Sequence, residues 1–416
     1  MTELFASIGS PPVDLNVFDC VRAILAHYSQ AFTPALVISS LGAYPIYRIL
    51  LALKSRQTVS QYAPEGHQKK QGTPTMGGLI VVFGFLSVLL LSYNRILIST
   101  YQFGSILPVF WLVLGFSTIG FVDDFVVPRL IKGKRGLGWK QKILLQLVLA
   151  YVCAFKLYDA TSMETIFMVF TILFFSNAYN FADGLDWLAG SLLIGLSIGL
   201  MFIAGLAGVA DVVPYLTALL GALIPFMVLN KPKAKIFMGD VGSLPIGALL
   251  GLCVALILFP VTSSGDFGNS FGLDTAGILS HREFPVMGTM PFKLVCLFIV
   301  SGMMIVELVP VPLQIASVKL RKKKLFSFTP IHHAFERKGW PEGKVVAVFA
   351  GCQALLSAVA IAIALVGANQ FRYDPSQHES REFSTRGQPL PLHIPFGVDQ
   401  GLSRATAPPI GKGPSR

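Results

Sequence analysis

The chain reads as an all-α, polytopic integral membrane protein with about ten transmembrane helices, and three observations lead there. Hydrophobic residues make up 53% of the 416 and charged residues only 13%, against roughly a quarter charged in soluble domains. Apolar runs recur that are long enough to cross a hydrocarbon core about 30 Å thick, which takes roughly 20 helical residues. The runs are continuous and rich in Leu, Ile, Val, Ala and Gly, whereas barrel strands would alternate over about ten residues.

The predicted spans are 32–53, 76–93, 104–122, 142–158, 164–180, 187–209, 212–229, 242–261, 291–317 and 345–367. The first serves as its own insertion signal. The twenty residues at the start of the chain hold Glu3, Asp14 and Asp19 but no basic cluster followed by an apolar core. The third ends in Gly120-Phe-Val-Asp-Asp-Phe125, and the fifth and sixth are joined by a short polar connection. The eighth opens just after Phe237-Met-Gly-Asp240, and the ninth contains Glu307 followed by Pro310 and Pro312, where a kink is expected. Beyond the tenth, frequent Pro, Gly, Ser and Arg without apolar periodicity predict disorder. The chain thus divides into a membrane domain over 1–367 and a tail over 368–416. Cys20, Cys153, Cys253, Cys296 and Cys352 are scattered singly and read as packing residues.

A net charge of +11 invites a nucleic-acid reading, but the placement of the charge argues against one. The connections after spans 1, 3, 5, 7 and 9, with Lys142 at a helix edge included, hold 21 of the 33 Lys and Arg. The opposite face holds five: Arg22, Arg95, Lys156, Arg282 and Lys293. Excess Lys and Arg mark cytoplasmic loops. The long connection 262–290 and both termini are therefore expected on the other side.

Acidic residues beside a bilayer are costly, so those at helix ends are functional candidates. Asp123 and Asp124 end span 3; Asn177, Asn180, Asp183 and Asp186 lie between spans 5 and 6; Asp240 opens span 8; His332 and His333 follow span 9. The first inner loop adds His67, Lys69, Lys70, Thr73 and Thr75. All fall on the face that the basic residues make cytoplasmic, so one site can be assembled from five loops. Carboxylates gathered there need a cation. Mg²⁺ fits, since it takes oxygen ligands from one or two carboxylates together with substrate phosphates. Lys69, Lys70, Lys231, Lys233 and Lys235 are the cations available to the rest of a diphosphate.

Thr73-Pro-Thr-Met-Gly-Gly78, Asp183-Gly-Leu-Asp186 and Phe237-Met-Gly-Asp-Val-Gly-Ser243 together resemble the phospho-N-acetylmuramoyl-pentapeptide transferase family, within the polyprenyl-phosphate N-acetylhexosamine-1-phosphate transferases. The similarity runs from about residue 54 to 367. It implies transfer of phospho-MurNAc-pentapeptide from UDP-MurNAc-pentapeptide to undecaprenyl phosphate with Mg²⁺, giving lipid I and UMP in the cytoplasmic membrane. By the same resemblance Asp240 is a metal ligand, joined by Asp123. Asp123 and Asp124 help bind metal or prepare the lipid phosphate. Lys70, Thr75, Asn180, Asp183 and Asp186 contact nucleotide and diphosphate, Phe237 stacks on uracil, and His332 and His333 match the family's His segment. The chain departs from the pattern at Val127, where a lysine is usual and Arg129 or Lys132 would have to substitute. It also departs at Ala182, Trp187 and Ala334. Two rivals are a GlcNAc-1-phosphate transferase with the same acids, and a transporter with Glu307 at a midplane ion site. The oligomeric state is left open, a homodimer included.

Overall fold

The computed structural model describes residues 17–53, 72–93, 106–131, 133–134, 136–158, 162–207, 209–261 and 290–370, with side chains from residue 30 to 367 apart from Ala210. The 54–71 loop with Lys70, the 262–289 connection and the tail from 371 lie outside the described residues. The helices are α1 (Val17–Ala52), α2 (Leu79–Tyr93), α3 (Ile106–Phe121), α4 (Trp139–Leu157), α5 (Met163–Ala182), α6 (Leu188–Leu206), α7 (Val213–Leu229), α8 (Asp240–Leu258), α9 (Met290–Val300), α10 (Gly302–Leu308), α11 (Pro310–Arg321), α12 (Ile331–Arg337) and α13 (Glu342–Gln370). Among the described residues the backbone forms helices and turns, with one isolated bridge at Pro74 and no strand.

Helix is found at each of the ten predicted spans, but among the described residues seven helical stretches are both long and apolar enough to cross a membrane: Gln30–Ala52, Ile106–Leu130, Met163–Ala182, Leu188–Leu206, Asp240–Leu258, Gly302–Arg321 and Glu342–Gly367. α2 and α7 are apolar but shorter. α4 is long but diluted by Lys140, Lys142, Gln146 and Lys156. α1 begins well before the predicted residue 32, because helix can extend past the apolar run that marks the span.

α8 is the centre of the bundle. Every one of its residues except Asp240 and Leu256 is buried, against α5, α3 and α2. Close approach to α5 rests on Gly247 and Gly251, four apart on one face. A Cβ at either would sit 2.3 Å from a carbonyl oxygen of α5, that of Phe175 or Thr171. Small residues at that spacing let backbones meet where dispersion and hydrogen bonds replace hydrophobic drive. Pro245 inside α8 lacks the N–H that would bond to the Val241 carbonyl. Ser117 of α3 donates its hydroxyl to that oxygen at 3.0 Å, so the membrane-buried acceptor stays satisfied.

The ninth span is broken twice. One break is at Val309–Pro310, as the proline pair predicts; the other is at Ser301–Gly302, a Ser/Gly signal for kinking that the sequence reading missed. At that second break Gln353 of α13 donates to the Val300 carbonyl at 3.0 Å. The packing role expected of the cysteines holds for Cys153, Cys253 and Cys296, whereas Cys352 is exposed on α13; the side chain of Cys20 lies outside the described residues.

Candidate active site

The C-terminal ends of α3 and α5 meet the N-terminus of α8. α3 runs into one π-helical turn, Val122–Val126, whose widened ring closes from the Val127 N–H to the Val122 carbonyl. That turn carries Asp123 and Asp124. α8 is preceded by Gly239, which has φ +71° and no side chain with which to cap the helix. The cap comes from another helix instead: Asp124 Oδ2 accepts from the Asp240 N–H at 2.8 Å and the Val241 N–H at 3.4 Å. A carboxylate suits this position because first-turn N–H groups and the helix dipole both favour negative charge.

The Thr73–Gly78 segment is pinned to the same place by backbone pairing. Phe237 N donates to Pro74 O at 2.9 Å, Gly77 N to Phe237 O at 2.7 Å and Gly78 N to Met238 O at 2.9 Å. Thr75 consequently lies beside Gly239. A Cβ there would come within 2.7 Å of Thr75 Oγ1 and 2.6 Å of Asp124 Oδ2, so both the space and the backbone angle demand glycine.

Carboxylate oxygens of Asp123, Asp124 and Asp240 lie within 4.8 Å of one another. Two unit charges about 4 Å apart repel by roughly 4 kcal/mol near a protein surface, so a cluster of three requires compensation. Lys142 of α4 provides part of it, bonding directly to Asp240 Oδ2 and reaching Asp123 Oδ2 at 3.5 Å. Asn180 Nδ2 donates to Asp240 Oδ1 at 2.7 Å and to Ser243 Oγ at 2.8 Å. The Leu137 N–H donates to Asp123 Oδ1 at 2.6 Å. Side chains of Asp123, Lys142 and Asp240 remain 15, 17 and 19% exposed, so the cluster keeps contact with solvent. The three carboxylates could hold a metal ion; an all-oxygen donor set of this charge suits Mg²⁺ better than a thiophilic metal. Beside them, burial, then the Asp240 carboxylate, push Asp183 well above the usual carboxylate range, with the Gly239 N–H working the other way.

Of the predicted residues, Asp123, Asp124, Asp240, Asn180, Asp183 and Thr75 come together. Asp186 turns away. It is 2% exposed, accepts from the Ala234 N–H at 3.0 Å and donates its own N–H to Glu342 Oε1 at 2.7 Å. It therefore braces the 230–236 turn and the start of α13. Phe237 is partly buried, with its backbone held by Pro74. His332 packs on Gly184 of the Asp183–Asp186 turn, while His333 pairs with Glu336 at 2.7 Å.

Among the described residues the cation at the carboxylates is Lys142, while Lys69 and Lys70 lie outside those residues. Lys231, Lys233 and Lys235 are exposed. Arg129 donates to Leu53 O at 2.6 Å and lies 3.5 Å over the Phe125 ring, so it does not replace the lysine absent at position 127, and Lys132 lies outside the described residues. Lys142 was missed because it reads as a topology signal at the head of an apolar run. A charged residue at the very head of such a run, followed four residues later by Gln146, was the available clue. Trp187, where the family pattern has a small residue, adopts φ +69°. Asn230 Oδ1 accepts from its N–H at 2.9 Å, and Met227 O from its indole N–H at 2.8 Å, so local bonds hold this backbone conformation.

Residues 106–258 match the glycosyl transferase family 4 model, and residues 70–82 match signature 1 of the phospho-N-acetylmuramoyl-pentapeptide-transferases. A phospho-N-acetylmuramoyl-pentapeptide-transferase of Staphylococcus epidermidis is 32% identical over 339 residues, covering 76% of this chain and 92% of that protein. One from Desulfosudis oleivorans is 30% identical over 398 residues, covering 86% and 95%. A third, from Clostridioides difficile, is 31% identical over 322 residues, covering 72% and 86%.

Proposed function

The chain belongs to the phospho-N-acetylmuramoyl-pentapeptide-transferase family, and from that premise we propose that it transfers phospho-MurNAc-pentapeptide from its UDP carrier to undecaprenyl phosphate. An oxygen of the lipid phosphate attacks the donor phosphorus next to the sugar, the bond to the UMP oxygen breaks, and lipid I and UMP result. The observation that carries the reading is the cluster of Asp123, Asp124 and Asp240 with Lys142, adjoining the segment that matches the family signature.

Asp240 and Asp123 are the residues that would hold Mg²⁺, as the sequence resemblance implies, within a cluster whose three carboxylates lie close enough to share an ion. When bound, the ion supplies charge neutralisation for the diphosphate. Lys142 Nζ sits where it can share that task, and Asn180 fixes the direction of the Asp240 carboxylate. Thr75, Asp183 and Lys70 serve the donor's phosphates and nucleotide. Phe237 offers its ring to uracil from a backbone anchored on Pro74. Asp186 acts on the donor indirectly, by fixing the 230–236 turn. His332 and His333 flank the donor turn from α12. The basic-residue distribution supports a cytoplasmic site in the bacterial inner membrane.

The deciding experiment incubates the purified protein in detergent with Mg²⁺, undecaprenyl phosphate and either UDP-MurNAc-pentapeptide or UDP-GlcNAc. UMP release with the first donor is expected. Release with UDP-GlcNAc alone would move the chain to the GlcNAc-1-phosphate transferases.

A further inference from the structure

We infer that Glu307 is a positioning residue for the transfer reaction, acting through His332; the inference rests on the reading above. Glu307 lies on α10 between the two breaks of the ninth span, and His332 on α12, 25 positions later. Both side chains are 0% exposed, and Glu307 Oε2 lies 2.9 Å from His332 Nδ1. Burying a carboxylate against an imidazole carries a desolvation cost that simple packing would avoid.

The contact has a directional consequence. A carboxylate on Nδ1 fixes a proton there and sets the orientation of the ring. Nε2 is then held against Gly184, where a Cβ would meet it at 2.3 Å. Gly184 is the second residue of the donor turn, between Asp183 and the buried Asp186. His332 Nε2 is buried and has no hydrogen-bond partner among the described residues. With the proton on Nδ1, Nε2 is a hydrogen-bond acceptor, and a hydroxyl or N–H of the donor's sugar would complete it as the donor is positioned for transfer.

The test is a set of single and double variants, each checked for folding by thermal unfolding in detergent and assayed for kcat and donor KM. Asn retains a donor near Nδ1 but nothing at Nε2; Gln retains a polar group near Nε2 but loses the Glu307 contact. Glu307→Gln is expected to lower kcat roughly 10- to 100-fold with donor KM within about twofold. His332→Asn should lose at least as much as Glu307→Gln. Adding Glu307→Gln to His332→Gln should cost nothing further, because a residue acting through His332 has no effect once that link is gone. A folded Glu307→Gln protein with wild-type kcat, losses that add in the double variant, or a loss confined to melting temperature or KM would overturn the inference. If the wild-type protein itself releases no UMP from UDP-MurNAc-pentapeptide, the proposed function fails instead, which keeps the two failures apart.

Discussion

The molecule holds two carboxylate centres that both adjoin the 183–186 turn in space, and they are built in opposite ways. At the first, three aspartates and Lys142 stay partly open to water, with each carboxylate pointed by a different element: Asp123 by the Leu137 N–H, Asp124 by the head of α8, Asp240 by Asn180. At the second, Glu307 and His332 are sealed at 0% exposure with a single bond between them. The difference teaches what burial decides. Acids that keep water access and exceed their protein cations are fit to take up an ion, whereas one acid matched to one imidazole in a dry place is fit to hold a ring still.

The largest expected effect removes charge from the open centre. Asp240→Asn keeps the size of the side chain and loses the charge, so turnover should fall on the order of 10²-fold or more, each ~1.4 kcal/mol of barrier being worth tenfold. Its melting temperature should stay level or rise slightly as repulsion from Asp123 and Asp124 is relieved. A UMP-release titration with Mg²⁺ reads this directly; near-native turnover at low Mg²⁺ would erase the distinction between the two centres.

Lys142→Met comes next, with a loss of about tenfold in kcat. It also has a readout independent of activity. Without the ammonium the three carboxylates repel, so the melting temperature in EDTA should drop below wild type and recover on adding Mg²⁺. A drop that Mg²⁺ leaves untouched would make Lys142 a purely structural brace.

Gly184→Ala probes the sealed centre. The new methyl would collide with His332 Nε2, and overpacking of this kind costs typically 1–3 kcal/mol, visible as a lower melting temperature along with reduced kcat. A variant with unchanged stability and rate would show that His332 is free to swing away.

The smallest effect is expected at Asp186→Asn. The amide oxygen can still accept from the Ala234 N–H that Asp186 now engages, so donor KM should move by less than about threefold, the scale of a conserved neutral hydrogen bond. A rise of tenfold or more would restore the direct nucleotide contact that the sequence resemblance implies.

Much of this was legible without coordinates. Long apolar runs can only be helices in hydrocarbon, since every backbone group must be satisfied within the segment, and costly acids at the ends of those runs stand out from the composition alone. Asp123, Asp124, Asn180, Asp183 and Asp240 were legible for that reason, as were the kink at Pro310 and the family. The tertiary structure decided which charges meet. Lys142 becomes the site's cation because α4 packs beside α3 and α5, a relation no local pattern encodes, while Arg129 is drawn to Phe125 and Leu53. Asp124 becomes a helix cap and Asp186 a brace through partners 117 and 48 positions away. Glu307 finds His332 across the break at Pro310 and 25 positions of sequence. Hydropathy and period determined the elements because they depend on neighbours a few residues apart; the pairing of charges depends on distances between elements, and only the packed bundle sets those.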